Sequence, residues 1–179
     1  MLTRDVILGE LGQIITGKTP PTKNPDYYGG DTPFLTPSDD MNGKYAPRTA
    51  RSLSESGVHT ASRCLLPAGS ICMSCIGSDL GKVVVTREPL VTNQQINSII
   101  PRQDLVDLDF LYYSMLPLGR RLNALSKTST AVPIVNKSSF SNCVISLPEI
   151  PIQRAIGHIL ATIDQKIEFN RYANDYLAA

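Results

Sequence analysis

From Ile152 to Ala179 the chain carries no proline, although thirteen prolines punctuate everything before that stretch. Proline lacks a backbone N–H and breaks helices, so a long uninterrupted helix fits only here. Pro148 and Pro151 close the preceding segment, and Pro151 suits a first helical turn. Within the stretch Ile156, Leu160, Ile163, Ile167, Asn170, Asn174 and Leu177 recur alternately four and three residues apart, the spacing of a coiled-coil seam. The two asparagines restrict register and orientation, because a buried amide must find a partner across the interface. The competing role for such a face is packing against the helix's own domain. The last residues, Leu177-Ala178-Ala179, hold no glycine or polar stop, which predicts a helix that runs on.

The remainder reads differently. A chain of 179 residues, 42% hydrophobic and 18% charged, suits one ordered domain with an appended element. Turn-forming clusters such as GKTPPTKNPDYYGGDTP separate short apolar runs at Val6–Leu8, Leu11–Ile15 and Phe34–Leu35. Ser70–Ile76 and Lys82–Thr86 flank GSDLG and predict two strands joined by a tight turn; Ile96–Ile100 and Cys143–Leu147 predict two more. Asp107 suits the cap of a helix bearing Leu108, Leu111, Tyr112 and Met115, which Pro117 is expected to interrupt before a second short helix at Leu118–Leu125. The predicted class is α+β, with a strand-rich domain over residues 1–150 and a coiled-coil-type helix over 151–179.

Net charge is only +1, but it is segregated. From Phe110 to Pro148 stand Arg120, Arg121, Lys127 and Lys137 with no acid; residues 44–78 hold Lys44, Arg48, Arg51 and Arg63 against Glu55 alone. Two such blocks suit one face against phosphate, or else solvated loops. The N-terminus carries acids where a signal peptide has bases, and no apolar run is long enough to span a membrane, so a cytoplasmic location without membrane contact is expected. Four cysteines, Cys64, Cys72, Cys75 and Cys143, are too few for a disulfide scaffold and are expected to be reduced, buried thiols.

Motifs of catalysis fail on spacing. GSDLGK at Gly77–Lys82 has three residues between its glycines where a phosphate loop has four, and Val83 stands where magnesium needs a hydroxyl. Asn24-Pro25-Asp26-Tyr27 resembles the base-gripping loop of amino-methyltransferases, but Asp26 replaces its second proline and no glycine-rich donor turn precedes it; a plain turn is expected. Cys72 and Cys75 have a metal-pair spacing without a second pair or nearby histidines, and His59 and His158 stand isolated. No metal, cofactor or catalytic activity is expected.

Several segments in order resemble the specificity subunits of type I restriction–modification systems. They are LGQIITGKTP at Leu11–Pro20, PFLTPSDD at Pro33–Asp40, LPAGSICMSCIGSDLGKVVV at Leu66–Val85 and TNQQINSIIP at Thr92–Pro101, read as a strand. The most specific stretch holds Ser129, Thr130, Lys137, Phe140, Gln153, Arg154 and the helical run Ile163–Asn170. The family usually joins two recognition domains by two long helices; this chain has one domain and one helix, which leaves open a fragment or a half-subunit that dimerises.

The resemblance implies a domain that docks in the major groove of double-stranded DNA and reads half of a split target. The helix would pair with a second recognition half, or a second copy, and set the distance between half-sites. Modification and restriction subunits would be the partners that do the chemistry. Base edges are read by amide, hydroxyl and cationic groups. The loops supply them as Lys18, Thr19, Thr36, Ser38, Ser74, Ser78, Lys82, Asn93, Gln94, Gln95, Ser129, Thr130 and Lys137. Each also suits a turn or a cap. Gln94 and Gln95 are expected on opposite faces of a strand, so that one at most meets DNA. Two other classes stay open at this point: the recognition domain of a fused methyltransferase or nuclease, and a coiled-coil adaptor with no role on DNA.

Overall fold

The computed structural model describes residues 3–127 and 134–178. In chain order they form β1 (Arg4–Ile7), α1 (Leu8–Leu11), β2 (Gly12–Thr16), β3 (Tyr28–Leu35), β4 (Ser52–Leu53), α2 (Glu55–Thr60), β5 (Leu65–Leu66), β6 (Ile71–Ser74), β7 (Val83–Val85), β8 (Leu90–Thr92) and β9 (Ile96–Pro101), then α3 (Leu108–Ser126), α4 (Lys137–Ser141), β10 (Val144–Leu147) and α5 (Ile150–Ala178). The class is α+β. Among the described residues no helix is long and apolar enough to cross a membrane.

One antiparallel sheet has the order β2-β9-β6-β7 and a second has the order β4-β3-β8-β5, in which β3 and β8 run parallel. The first sheet is the middle layer. Because side chains alternate across a strand, Ile71 and Met73 of β6 face a core shared with α3, while Cys72 faces a core shared with the second sheet. Val83 and Val85 against Val84 repeat the division. A strand buried on both faces reads as a continuous apolar run, which is how ICMS and VVV appear in the sequence. β1 pairs with β10, Arg4 opposite Leu147, and so ties the start of the chain to the base of α5.

Local expectations shift in three places. Leu8 and Leu11 belong to the short helix between β1 and β2, where both point into the core. Gln94 and Gln95 lie in the turn before β9 and both are exposed, so strand alternation does not separate them. Finally, α3 runs without a break through Pro117. An interior proline costs a helix roughly 3 kcal/mol. Here Pro117 is on the exposed side, while Met115 and Leu118, on either side of it, are buried in the core. Packing on both sides of the ring holds the two halves in one helix.

α5 lies across α3 at its start. Buried Gln153 accepts from the Asp107 backbone N–H at 2.9 Å and donates to the Pro148 carbonyl at 2.8 Å, while Asp107 also caps α3 through the Phe110 N–H. At Gly157 a Cβ would meet Asp107 and the Phe110 nitrogen within 3 Å, so glycine permits the close approach. Seven residues farther along α5, Tyr113 Oη donates to Asp164 at 2.7 Å. Lys44, buried, pairs with Asp109 at 2.8 Å and lies over the Tyr113 ring at 5.0 Å. Burial and the bond to Asp164 push the Tyr113 hydroxyl well above its usual ionisation range, so it remains a donor at neutral pH.

Tyr113→Phe leaves the half-buried Asp164 carboxylate without its hydroxyl donor. A loss of about 1–2 kcal/mol is expected, read as a lower midpoint in denaturant unfolding followed by circular dichroism. An unchanged midpoint would mean that water satisfies Asp164 equally well.

Candidate nucleic-acid interface

The loops that carry the candidate residues leave the sheets at one edge. Thr16 at the end of β2 pairs with Asn97 near the start of β9, and Ser74 at the end of β6 pairs with Ile96. Leu35 and Thr92 end the two parallel strands side by side. The Gly17 and Lys18 N–H groups then bond the Ile96 and Thr92 carbonyls, and the Asn93 N–H bonds the Leu35 carbonyl. Lys18, Thr19, Thr36, Ser38, Ser74, Ser78, Lys82, Asn93, Gln94 and Gln95 all sit in or beside these connections. Lys137, exposed, opens α4 and lines a concavity of about 430 Å³ with Gln94, Gln95 and Asn97. Ser129 and Thr130 lie outside the described residues.

Most of these polar side chains build the loops themselves. Thr19 donates to Gln94 Oε1 at 2.7 Å, Asn93 Nδ2 to Gln95 Oε1 at 2.9 Å, and Lys18 Nζ to the Thr60 carbonyl at 2.9 Å. Thr36 binds Asp39 through both its N–H and its hydroxyl; Asp39 also accepts from the Ala50 N–H. Ser74 is fully buried, donates to the Asp79 carbonyl and accepts from the Lys82 N–H, and Lys82 Nζ pairs with Asp79 at 2.8 Å. The exposed members of the set are Lys18, Ser38, Ser78, Gln94, Gln95 and Lys137.

Residues of the two basic blocks line separate concavities. Lys44 is consumed inside the fold by Asp109. Arg48 and Arg51 line a concavity of about 600 Å³ with Arg87, Asp31 and Glu88, beside the start of β8. Arg120 and Lys127 line a different one, of about 420 Å³, between α3 and residues 78–82. Arg87, Arg120 and Lys127 are absent from the sequence-derived site. For the last two a signal existed: Arg120, Asn123 and Lys127 share a helix face at spacings of three and four.

The type I restriction modification DNA specificity domain profile matches residues 4–177. The chain belongs to that family. It is 38% identical to the HindI specificity subunit of Haemophilus influenzae over 95% of its own length and 37% of that protein. It is 31% identical to the MjaIX specificity subunit of Methanocaldococcus jannaschii, over 94% of this chain and 39% of that one. The HsdS subunit of Thermoanaerobacter tengcongensis has the same fold, with a TM-score of 0.67, 23% identity, and 96% of this chain on 39% of that one. The S subunit of M. genitalium matches at a TM-score of 0.71 and 16% identity, over 98% of this chain and 42% of that one. The specificity domain thus spans about two fifths of the length of the relatives it matches.

The motifs of the specificity domain acquire physical roles. Gly17 of the GKTP loop is packed so closely on Thr92 and Asn93 that a Cβ would strike their carbonyl oxygens. Phe140 is a core residue, fully buried. Gln153 joins α5 to α3 while Arg154 is exposed. The N–H groups of Leu80, Gly81 and Lys82 in the GSDLGK loop bond the Gly77, Ser74 and Asp79 carbonyls, so they do not cradle phosphate. Asn24 caps a single 3-10 turn at Pro25–Tyr27. In α5, Ile156 and Leu160 are half-buried, Ile156 against the core, whereas Ile163, Ile167, Asn170, Asn174 and Leu177 are exposed.

The cysteines divide in two. Cys72 and Cys75 are buried, while Cys64 and Cys143 are only half-buried because they sit in a turn and a loop. Cys72 and Cys75 belong to cores on opposite faces of the middle sheet, so they cannot share a metal. Burial pushes Cys72 up to about 12 and Cys75 to about 11, from an ordinary 9.0. Their contribution to stability is complete below pH 9 and is lost as the pH rises through 11 and 12, because the unfolded chain releases those protons first. At mildly alkaline pH a thiol reagent is expected to modify Cys64 and Cys143 in the folded protein, and Cys72 and Cys75 only after denaturation. Mass spectrometry showing equal rates at all four would contradict this placement.

Proposed function

We propose that this specificity domain reads one half of a split duplex-DNA target and performs no chemistry of its own. The observation that carries the reading is the convergence of the β2, β3, β6 and β8 ends on one edge, with Lys18, Ser78, Gln94, Gln95 and Lys137 exposed there. Those are the donor and acceptor types that distinguish base edges in a major groove. Residues 1–150 serve as the reading unit and 151–179 as a spacer, anchored through Asp164 and free beyond it. Methyl transfer and cleavage belong to modification and restriction subunits, with cytoplasmic DNA as substrate. The partner for the spacer is a second recognition half or a second copy of the chain.

Anisotropy of a short fluorescent duplex tests the DNA reading. Weak binding is expected from the chain alone, with log K falling linearly as log salt rises, because each neutralised phosphate releases condensed counterions. A flat salt response would sink the proposal.

The spacer role has its own test. A heptad inserted after Lys166 keeps the seam residues Ile163 and Ile167–Leu177 in phase and lengthens the rod by ~10.5 Å. At ~3.4 Å per base pair that distance is about three base pairs. In the assembled enzyme the non-specific gap in the methylated target is therefore expected to lengthen while both half-sites stay the same. Altered half-sites with an unchanged gap would show that the helix is not the ruler.

A further inference from the structure

The connection from β6 to β7 folds back onto the second half of α3 and is fastened there by backbone. Gly81 and Gly119 meet so closely that a Cβ on either would strike the other's carbonyl oxygen, and Gly81 adopts a left-handed φ of 90°. Asn123 then donates to two carbonyls of the same loop, Leu80 at 2.7 Å and Ser78 at 3.2 Å. The distance between helix and loop is therefore set by the glycine pair rather than by flexible side chains.

Between them lies the concavity of about 420 Å³, with Arg120, Asn123 and Lys127 along its helical wall and Ser78 and Lys82 along the loop. Its one acid, Asp79, is neutralised by Lys82 at 2.8 Å. Arg120 and Lys127 are exposed and have no ion-pair partner among the described residues. No acid occurs anywhere from Phe110 to Pro148, so their field is unopposed along the chain. The concavity continues the loop edge through Ser78 and Lys82.

We infer that this groove seats the DNA sugar–phosphate backbone flanking the bases that the loop edge reads, with Arg120 and Lys127 as its phosphate contacts. The inference rests on the DNA-reading function proposed above and adds the positioning contact to it. Contacts to phosphate fix where a reader sits, and contacts to base edges decide what it reads. The glycine pair makes that position a property of the fold. The rival is the concavity of Arg48, Arg51 and Arg87. It contains Asp31 and Glu88, and it opens beside Leu90 at the start of β8, the end of that strand opposite the loop edge.

The test measures the salt dependence of binding to two duplexes, one carrying the target methylated in the host and one lacking it. Arg120→Gln with Lys127→Gln is expected to weaken both by the same factor and to reduce the slope of log K against log salt by about 1.8, two contacts at ~0.9 each. Arg120→Lys with Lys127→Arg keeps the charges and is expected to keep the slope. The triple change Arg48→Gln, Arg51→Gln and Arg87→Gln is expected to leave the slope as it is. Loss of slope in the charge-keeping variant would make the groove structural; loss only in the triple variant would move the duplex to the other concavity. Weakening confined to the target duplex would assign base contacts instead. Any of the three overturns the inference. An unaltered chain that bound neither duplex in a salt-dependent way would sink the DNA-reading function itself.

Discussion

The middle sheet is buried on both faces, and the rest of the molecule follows from that. Ile71, Met73, Ile99, Val83 and Val85 supply one core, and Cys72, Val84, Ile15 and Ile96 supply the other. Each large apolar side chain removed from water contributes about 1.5–3 kcal/mol, so neither face is available for a ligand. Only strand ends reach solvent, and polar chemistry is confined to the connections. Those connections must also satisfy their own buried groups, which explains why Ser74, Thr36 and Asn93 are bonded to residues of their own loops.

The second dependency is the joint between the strand-rich body and the long helix. Gln153 binds the Asp107 N–H while the Asp107 carboxylate caps α3, so one residue serves both helices. Lys44, Asp109, Tyr113 and Asp164 continue the contact along α5 as far as Asp164. Beyond Asp164 nearly every described residue of α5 is exposed, Ile167 among them, as is Ile163 just before it. The first four turns of α5 are thus fastened to the body that carries the loops, as the proposed spacer role requires.

Much of this was legible in residue order. The β6–β7 pair around GSDLG, the strand before Pro148, the Asp107 cap and the helix after Pro151 depend on neighbours within a few positions, where propensity and periodicity act directly. A local rule predicts a break at Pro117 because it sees the missing N–H and not the core contacts of Met115 and Leu118 on either side. Residue order alone extends the strand back over Gln94 and Gln95, because the apolar run after them gives no sign of where pairing starts; that is set by Ser74 meeting Ile96.

For the interface the division is similar. The kinds of side chain, their confinement to loops, the acid-free block and the seam of α5 are statements about composition and spacing, and the chain alone determines them. Which groups remain free to meet a ligand was decided by tertiary contacts between residues far apart. Lys44 was removed by Asp109, Asp79 was neutralised at Lys82, and Arg120 and Lys127 were brought to the Ser78 loop by two glycines that touch across the fold. Charge is a property of a residue, but its availability depends on what packing places within a few ångströms of it, and that distance is not written in the order of the chain.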